Sequence, residues 1–192
     1  MLYIIRHGQT DMNKSDKMQG RQDSPLNETG LRQAREAAER IKKAGVVIDS
    51  AFSSPLKRAI ETARQFVGAD NIKTDERLIE MDHGPYEGMD FKNPAPEVME
   101  FLRDPVNVPA PDGMEPLHEI TRRMGSFLED IKEQAMHSNI LIATHAIALK
   151  GALEYMSPGR EKNVWSKYIG NCDIYAAKVI DDGFGLPYKL EV

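Results

Sequence analysis

The segment MLYIIRHGQTDMN, residues 1–13, runs from apolar residues directly into two potentially cationic side chains and a glycine. The apolar run 2–5 predicts a short buried strand, and Arg6 and His7 follow at its end. In α/β proteins the carboxyl ends of parallel strands open onto the crevice where ligands bind. We therefore expect Arg6 and His7 to belong to a functional site.

Composition sets the broad class of the protein. The chain has 192 residues, of which 41% are hydrophobic, so we expect one globular domain spanning 1–192. A net charge of −5 argues against a nucleic-acid or membrane partner, and no stretch approaches the roughly 18 apolar residues of a membrane span. A strand starting at residue 2 leaves no room for a signal peptide, so a cytoplasmic location is expected.

Strands and helices alternate along most of the chain. Strands are predicted at 46–54 and 140–144, helices at 27–45 and 118–136, and an antiparallel hairpin near the C-terminus. Ser54 is expected to cap a further helix, with Pro55 at its first position. This alternation predicts an α/β fold with a largely parallel sheet.

The proline-rich segment 84–117 interrupts the alternation of strands and helices. It shows little periodicity beyond the short helical stretch EVMEFLRD, residues 97–104. We interpret 84–117 as an excursion over the active site rather than as a second domain.

Two arginines and two histidines lie at or just after the ends of predicted strands. Arg6 and His7 follow the first strand, Arg58 lies in the first turn of the helix after the second strand, and His145 ends a later strand. Parallel strands place all of these positions at one sheet edge. Two arginines and two histidines at one edge indicate an anion site.

Phosphoryl transfer is a reaction that these four residues can perform. A neutral imidazole at His7 can act as the nucleophile, because nearby arginines lower its pKa from the ordinary value of about 6.5. Arg6 and Arg58 offer fork geometry for phosphate oxygens, and His145 can donate a further hydrogen bond. Together they can supply the charge stabilisation that Mg²⁺ gives elsewhere, so no metal is expected.

The leaving group needs a proton, and a carboxylic acid held neutral is the expected donor. Glu80, in the segment ERLIEMDHGPYEG at residues 76–88, is the best candidate. Asp82 and His83 lie close by and stay open as alternatives.

Several motifs resemble those of the histidine phosphatase superfamily, the phosphoglycerate-mutase-like group. They occur in the family's order from residue 2 to about 175: RHGQT at 6–10, SSPLKRAIETA at 53–63, LIEMDHGPYEG at 78–88 and ATHAIAL at 143–149. The resemblance implies a three-layer α/β/α sandwich with a mostly parallel central sheet. In length and motif spacing the chain is similar to the small broad-specificity and α-ribazole-phosphate phosphatases.

The resemblance also implies individual roles. It makes His7 the phosphorylated residue and Glu80 the general acid. The residues that it assigns to the phosphoryl group and the pocket are Arg6, Asn13, Gln19, Gly20, Arg58, His145 and Ala146. Ala146 stands where family members often have glycine, and its backbone N–H is retained.

Three functions are compatible with these residues. The first is a metal-independent phosphomonoesterase that needs no cofactor and acts on a small phosphorylated metabolite through a phosphohistidine. The second is a phosphoglycerate mutase-type isomerase, which would need a bisphosphoglycerate primer. The third is a non-catalytic module that binds phospho-ligands.

Overall fold

A central six-stranded sheet organises the chain. The computed structural model describes residues 1–159 and 164–191. In those ranges the strands are β1 (Leu2–Arg6), β2 (Ser50–Ser53), β3 (Ile72–Thr74), β4 (Ile140–Thr144), β5 (Ile174–Ala177), β6 (Val179–Ile180), β7 (Gly183–Phe184) and β8 (Tyr188–Lys189). The α-helices are α1 (Asp11–Lys14), α2 (Glu28–Lys43), α3 (Lys57–Ala63), α4 (Pro96–Arg103), α5 (Leu117–His137) and α6 (Ala146–Met156).

The sheet is mostly parallel around its centre. Its strand order is β3-β2-β4-β1-β5-β8, and β3, β2, β4 and β1 run parallel to one another. The C-terminal strands pair antiparallel, β5 with β1 and with β8, and β6 with β7. The predicted α/β fold and the antiparallel C-terminal strands are confirmed.

Helices cover both faces of the sheet, which makes the predicted three-layer sandwich. Alternate residues of a strand point to opposite faces, so Leu2 and Ile4 of β1 pack towards α5 and α6, together with α4. Tyr3 and Ile5 pack on the other face, against the apolar stripes of α2 and α3. Because both of its faces are covered, β1 is apolar along almost its whole length.

Two predicted boundaries near β2 were wrong. The strand expected over 46–54 is reduced to Ser50–Ser53. Residues before it bond to the loop in front of β4: the side-chain amide of Asn139 donates to the Val47 carbonyl, and the Asp49 backbone N–H donates to the Asn139 carbonyl. Helix α3 begins at Lys57, with Leu56 as its N-cap residue, instead of starting at Pro55 after a Ser54 cap.

None of the helices in the described ranges combines the length and the hydropathy required to cross a lipid bilayer.

Candidate active site

Strand register brings three of the functional side chains together. Arg6 of β1 stands opposite Thr144 of β4, and the His7 backbone N–H continues this ladder to the Thr144 carbonyl at 2.9 Å. His7 and His145 therefore emerge side by side, with ring centroids 5.1 Å apart and ring planes at 61°. On the other side of β4, Ser53 of β2 stands opposite Ala143, which brings Ser54 beside His145.

The tautomer of His7 follows from its hydrogen bonds. Its Nδ1 lies 2.7 Å from the Gly8 carbonyl oxygen. A carbonyl can only accept, so Nδ1 carries the proton and Nε2 keeps its lone pair. Burial, with Arg58 and Arg6 nearby, lowers the pKa of His7 well below the ordinary value. The side chain is therefore a neutral imidazole with Nε2 available as a nucleophile.

Arg58 connects the two histidines. Its Nε lies 3.3 Å from His7 Nε2 and 3.2 Å from His145 Nδ1, and it can only donate. The rest of the guanidinium is held by main-chain carbonyls of the preceding loop, of Gln22 at 2.8 Å and of Gly20 at 2.6 Å. The side chain is fully buried, and burial lowers its pKa to about 10, so Arg58 stays cationic at neutral pH.

Glu80 occupies the N-terminus of α6. Its Oε1 accepts from the backbone N–H of Ala148 at 3.0 Å and of Met81 at 2.9 Å, and its Oε2 accepts from Ile147 at 3.2 Å. His145, the N-cap residue of α6, makes no side-chain cap itself. Glu80 thus caps α6 from a distant part of the chain. Three backbone N–H donors therefore hold the carboxylate of Glu80 in place at this helix end.

A cavity of about 380 Å³ opens beside His7. Six of the nine predicted site residues line it: Arg6, His7, Asn13, Gln19, Glu80 and Ala146. Its outer wall is largely apolar and includes α4 and the end of the 84–117 segment, with Phe101, Leu102 and Met114. A larger cavity of about 720 Å³ lies on the far side of Phe101 and Trp165, and the predicted site residues do not line it.

The other three predicted residues, Gly20, Arg58 and His145, do not line this cavity. Arg58 and His145 contact each other behind His7, His145 also bonds to Ser54, and the Gly20 carbonyl accepts from Arg58. These three residues lie behind those that line the cavity. The N–H groups of Arg58 donate to main-chain carbonyls and to the two imidazoles.

Arg6 is arranged differently from Arg58. Its Nη1 donates to the Ile169 carbonyl at 2.6 Å. Its Nε is buried and has no hydrogen-bond partner among the described residues. A buried donor without a partner is costly.

A polar network supports the nucleophile loop. Asn13 Oδ1 accepts from the Thr10 backbone N–H and from Asn171 Nδ2, each at 3.2 Å. Asn171 also donates to the His7 carbonyl at 3.0 Å. Gln19 Oε1 accepts from the Thr10 hydroxyl at 2.8 Å. Asn13 and Gln19 therefore have fixed orientations in the cavity wall.

Two glycines allow the nucleophile loop to lie directly on α2. A Cβ on Gly8 would stand 2.5 Å from the Gly30 carbonyl oxygen, and a Cβ on Gly30 would stand 2.1 Å from the Gln9 carbonyl oxygen. Such distances are far inside van der Waals contact, and both obstacles are backbone. Neither position accepts a side chain without moving the loop that carries His7.

Sequence reasoning did not identify three residues of the site. Lys150 lines the cavity, donates to the Trp165 carbonyl at 2.7 Å, and has its pKa lowered to about 8 by burial. It lies one helical turn after Ala146, so the helical period was a signal that could have found it. Ser54 and Asn171 are the other two.

The alternatives to Glu80 as proton donor differ in position. Asp82 pairs with Arg21 at 3.1 Å and does not line the cavity. His83 is buried, lines the cavity, and its Nδ1 has no hydrogen-bond partner among the described residues. Within residues 1–159 and 164–191, no three His, Cys, Asp or Glu side chains converge as a metal site would require.

The sequence profile of the histidine phosphatase superfamily (branch 1) matches residues 2–188. The chain belongs to the histidine phosphatase superfamily. Among its relatives, a putative phosphoserine phosphatase 2 from Hydrogenobacter thermophilus is 34% identical over 180 residues, which cover 90% of this chain and 86% of the relative. A probable phosphoglycerate mutase, GpmB, from Yersinia pestis is also 34% identical, over 77% of this chain and 70% of the relative.

A solved phosphoserine phosphatase shares the fold over nearly the whole chain. The phosphoserine phosphatase of Entamoeba histolytica, crystallised with 3-phosphoglyceric acid, superposes with a TM-score of 0.81 at 27% identity. The match covers 99% of this chain and 94% of that one. The protein is a phosphatase enzyme of this superfamily.

Proposed function

We propose that the protein is a metal-independent phosphomonoesterase that acts on a small phosphorylated metabolite through a phosphohistidine on His7. The observation that carries the proposal is the tautomer of His7. Nδ1–H is bonded to the Gly8 carbonyl, so the unprotonated nitrogen is Nε2, which lies beside Arg58, and the side chain of His7 lines the cavity. In the first step Nε2 attacks phosphorus, the P–N bond forms and the P–O bond to the alcohol breaks. In the second step water takes the phosphoryl group and frees His7 as a neutral imidazole.

The charges around the cavity suit a phosphate dianion. Its described lining includes five cationic side chains, Arg6, Lys17, Arg103, Lys150 and Lys167, and one carboxylate, Glu80. Arg58 stands directly behind His7. This excess of positive charge supports binding of a dianion. The unpaired Nε of Arg6 is a donor ready for a phosphate oxygen.

We assign the leaving-group proton to Glu80. Its carboxylate lines the cavity and is fixed by the backbone of α6. A phosphate dianion bound beside this carboxylate would favour its protonated form, because like charges repel. Glu80 would then give its proton to the departing alkoxide and regain one from the attacking water.

The substrate class follows from the cavity and from the relatives. A volume of about 380 Å³ suits a small metabolite, and relatives carry the names phosphoserine phosphatase and phosphoglycerate mutase. Mutase activity is the second candidate, favoured by the Yersinia relative.

Two assays test the proposal. A screen of phosphate esters that includes phosphoserine, run with excess EDTA, should release inorganic phosphate at an undiminished rate. Incubation with 3-phosphoglycerate and a bisphosphoglycerate primer should release phosphate without forming 2-phosphoglycerate. Loss of activity in EDTA would overturn the metal-independent mechanism, and primer-dependent isomerisation would establish the mutase instead.

A further inference from the structure

Ser54 contacts His145, one of the two histidines of the site, and does not line the cavity. It follows β2 and is fully buried, and its Oγ lies 2.8 Å from His145 Nε2. The Leu56 backbone N–H donates to the same oxygen at 3.3 Å. The sequence pattern suggested a helix-capping role for Ser54, but α3 begins three residues later, at Lys57.

The direction of the Ser54–His145 hydrogen bond is fixed from the other side of the ring. His145 Nδ1 faces Arg58 Nε at 3.2 Å, and a guanidinium can only donate. Nδ1 is therefore the acceptor, so in a neutral ring the proton is on Nε2. His145 Nε2–H then donates to Ser54 Oγ.

The ring has a choice of tautomer because it is neutral. The charged groups that face it are cations: Arg58 on α3, Arg6 at the end of β1 and Arg123 on α5. With burial as the largest cause, they lower the pKa of His145 well below the ordinary value. Arg58 alone could not hold the tautomer, because its single Nε–H is shared with His7 Nε2.

We propose that Ser54 is a positioning residue that fixes the tautomer and the ring orientation of His145, so that Nδ1 stays turned towards Arg58, which also contacts the nucleophile His7. The hydroxyl oxygen accepts from Nε2–H whether the ring is neutral or becomes an imidazolium beside a phosphate dianion. His145 therefore keeps one ring orientation in both charge states, with Nδ1 on the side of Arg58. The kinetic consequence of this positioning rests on the proposed phosphatase function, whereas the tautomer does not.

Long-range ¹H–¹⁵N NMR correlations of the histidine rings test the tautomer directly. The chain has five histidines, and the signals that disappear in His145→Gln are those of His145. At neutral pH we expect His145 to be protonated on Nε2 in the wild type. We expect a mixture of tautomers in Ser54→Ala. A wild-type His145 protonated on Nδ1 alone would overturn the proposal, even if the variant failed to fold.

Ser53 supplies a matched control for the kinetic test. It is equally buried, one residue earlier, and its hydroxyl donates to the Ser54 carbonyl at 2.8 Å and makes no bond to His145 among the described contacts. Ser54→Ala should lower kcat on p-nitrophenyl phosphate by on the order of 10- to 100-fold, a typical effect of misplacing a reacting group. The KM of Ser54→Ala should stay within about two-fold of the wild-type value. In Ser53→Ala, both kcat and KM should stay within about two-fold of the wild-type values.

The results separate this inference from the proposed function. Restoration of kcat in Ser54→Thr, which keeps the hydroxyl, would support positioning. Equal kinetic losses in Ser53→Ala and Ser54→Ala, or an unchanged tautomer in Ser54→Ala, would refute it. A wild-type protein inactive on every ester would refute the phosphatase proposal and still leave the tautomer measurable.

Discussion

The backbone N–H of Ala148 donates to the carboxylate of Glu80 across 3.0 Å, so the candidate general acid is also the cap of the helix that follows His145. Capping groups of this kind contribute about 1 kcal/mol to stability. The catalytic and the structural role must be measured separately.

For Glu80, we expect Glu80→Gln to slow alkyl phosphate hydrolysis by on the order of 10²–10⁴-fold, the usual contribution of general acid catalysis. The loss on p-nitrophenyl phosphate should be much smaller, because p-nitrophenolate leaves without a proton. Comparing kcat on the two substrates in one variant cancels any effect of weakened capping. Equal losses on both would assign Glu80 to positioning, and His83 would become the candidate acid.

The role of His7 predicts a covalent adduct. His7→Ala should abolish turnover and keep the fold, and quenched wild-type reactions should yield a phosphoryl adduct that is labile in acid and stable in base. Tryptic mapping of the adduct by mass spectrometry is the measurement. His118→Ala, at an exposed position, is the control. An acid-stable adduct, or turnover near wild type in His7→Ala, would contradict the assignment.

Lys150 should contribute to binding in a pH-dependent way. Its pKa, lowered to about 8 by burial, means that its charge disappears as the pH rises through 8. KM for a dianionic ester should rise there in the wild type. Lys150→Met keeps the apolar stem and removes the charge, so KM should be about 10-fold higher at pH 7 and flat across pH 8.

The matched control for Lys150 is Lys92→Met, because Lys92 is exposed and lies outside the cavity. It should reproduce the wild-type KM profile from pH 6.5 to 9.5. A wild-type KM that does not change across pH 8 would show that the Lys150 ammonium does not interact with the charged substrate.

Folding stability should fall on acidification. The unfolded chain protonates His7 and His145 near the ordinary pKa of about 6.5, whereas the folded chain keeps both neutral because their pKa values are lowered. Below pH 6.5 the unfolded state therefore binds more protons, and each such histidine costs about 1.4 kcal/mol of unfolding free energy per pH unit. Urea unfolding at pH 7.5 and pH 5.0 measures this loss.

Histidine variants test the origin of that pH dependence. His145→Gln should remove about half of the histidine contribution to the slope. His118→Gln, at an exposed position, should leave the slope unchanged. Identical slopes in all three proteins would place the acid sensitivity in carboxylates instead.

The sequence identified the site residues that are adjacent to a strand end. Arg6 is the last residue of β1, and His7 and His145 directly follow β1 and β4, so a correct strand assignment also places these side chains. Arg58 follows similarly from the first turn of α3. In each case the local chain direction and the rule for parallel sheets are sufficient.

Residues whose position depends on tertiary packing could not be predicted in this way. Asn171 reaches the His7 carbonyl from 164 positions away, through a loop without local periodicity. The sequence around Ser54 is typical of a helix cap. Its hydroxyl instead contacts His145, and this contact depends on the pairing of β2 with β4. The capping role of Glu80 likewise depends on how α6 docks against the loop after β3.

The contact between Gly8 and Gly30 has a consequence for how this enzyme tolerates mutation. A saturation-mutagenesis screen scored by phosphate release should rank Gly30 with the nucleophile, although it belongs to α2 and lies outside the cavity. Even alanine there would push the Gln9 main chain, and with it the segment that carries His7. The position of His7 therefore depends on a residue that is neither charged nor in contact with substrate. Mutations that compensate for a change at Gly30 are expected in the packing of α2 rather than among the charged residues of the site.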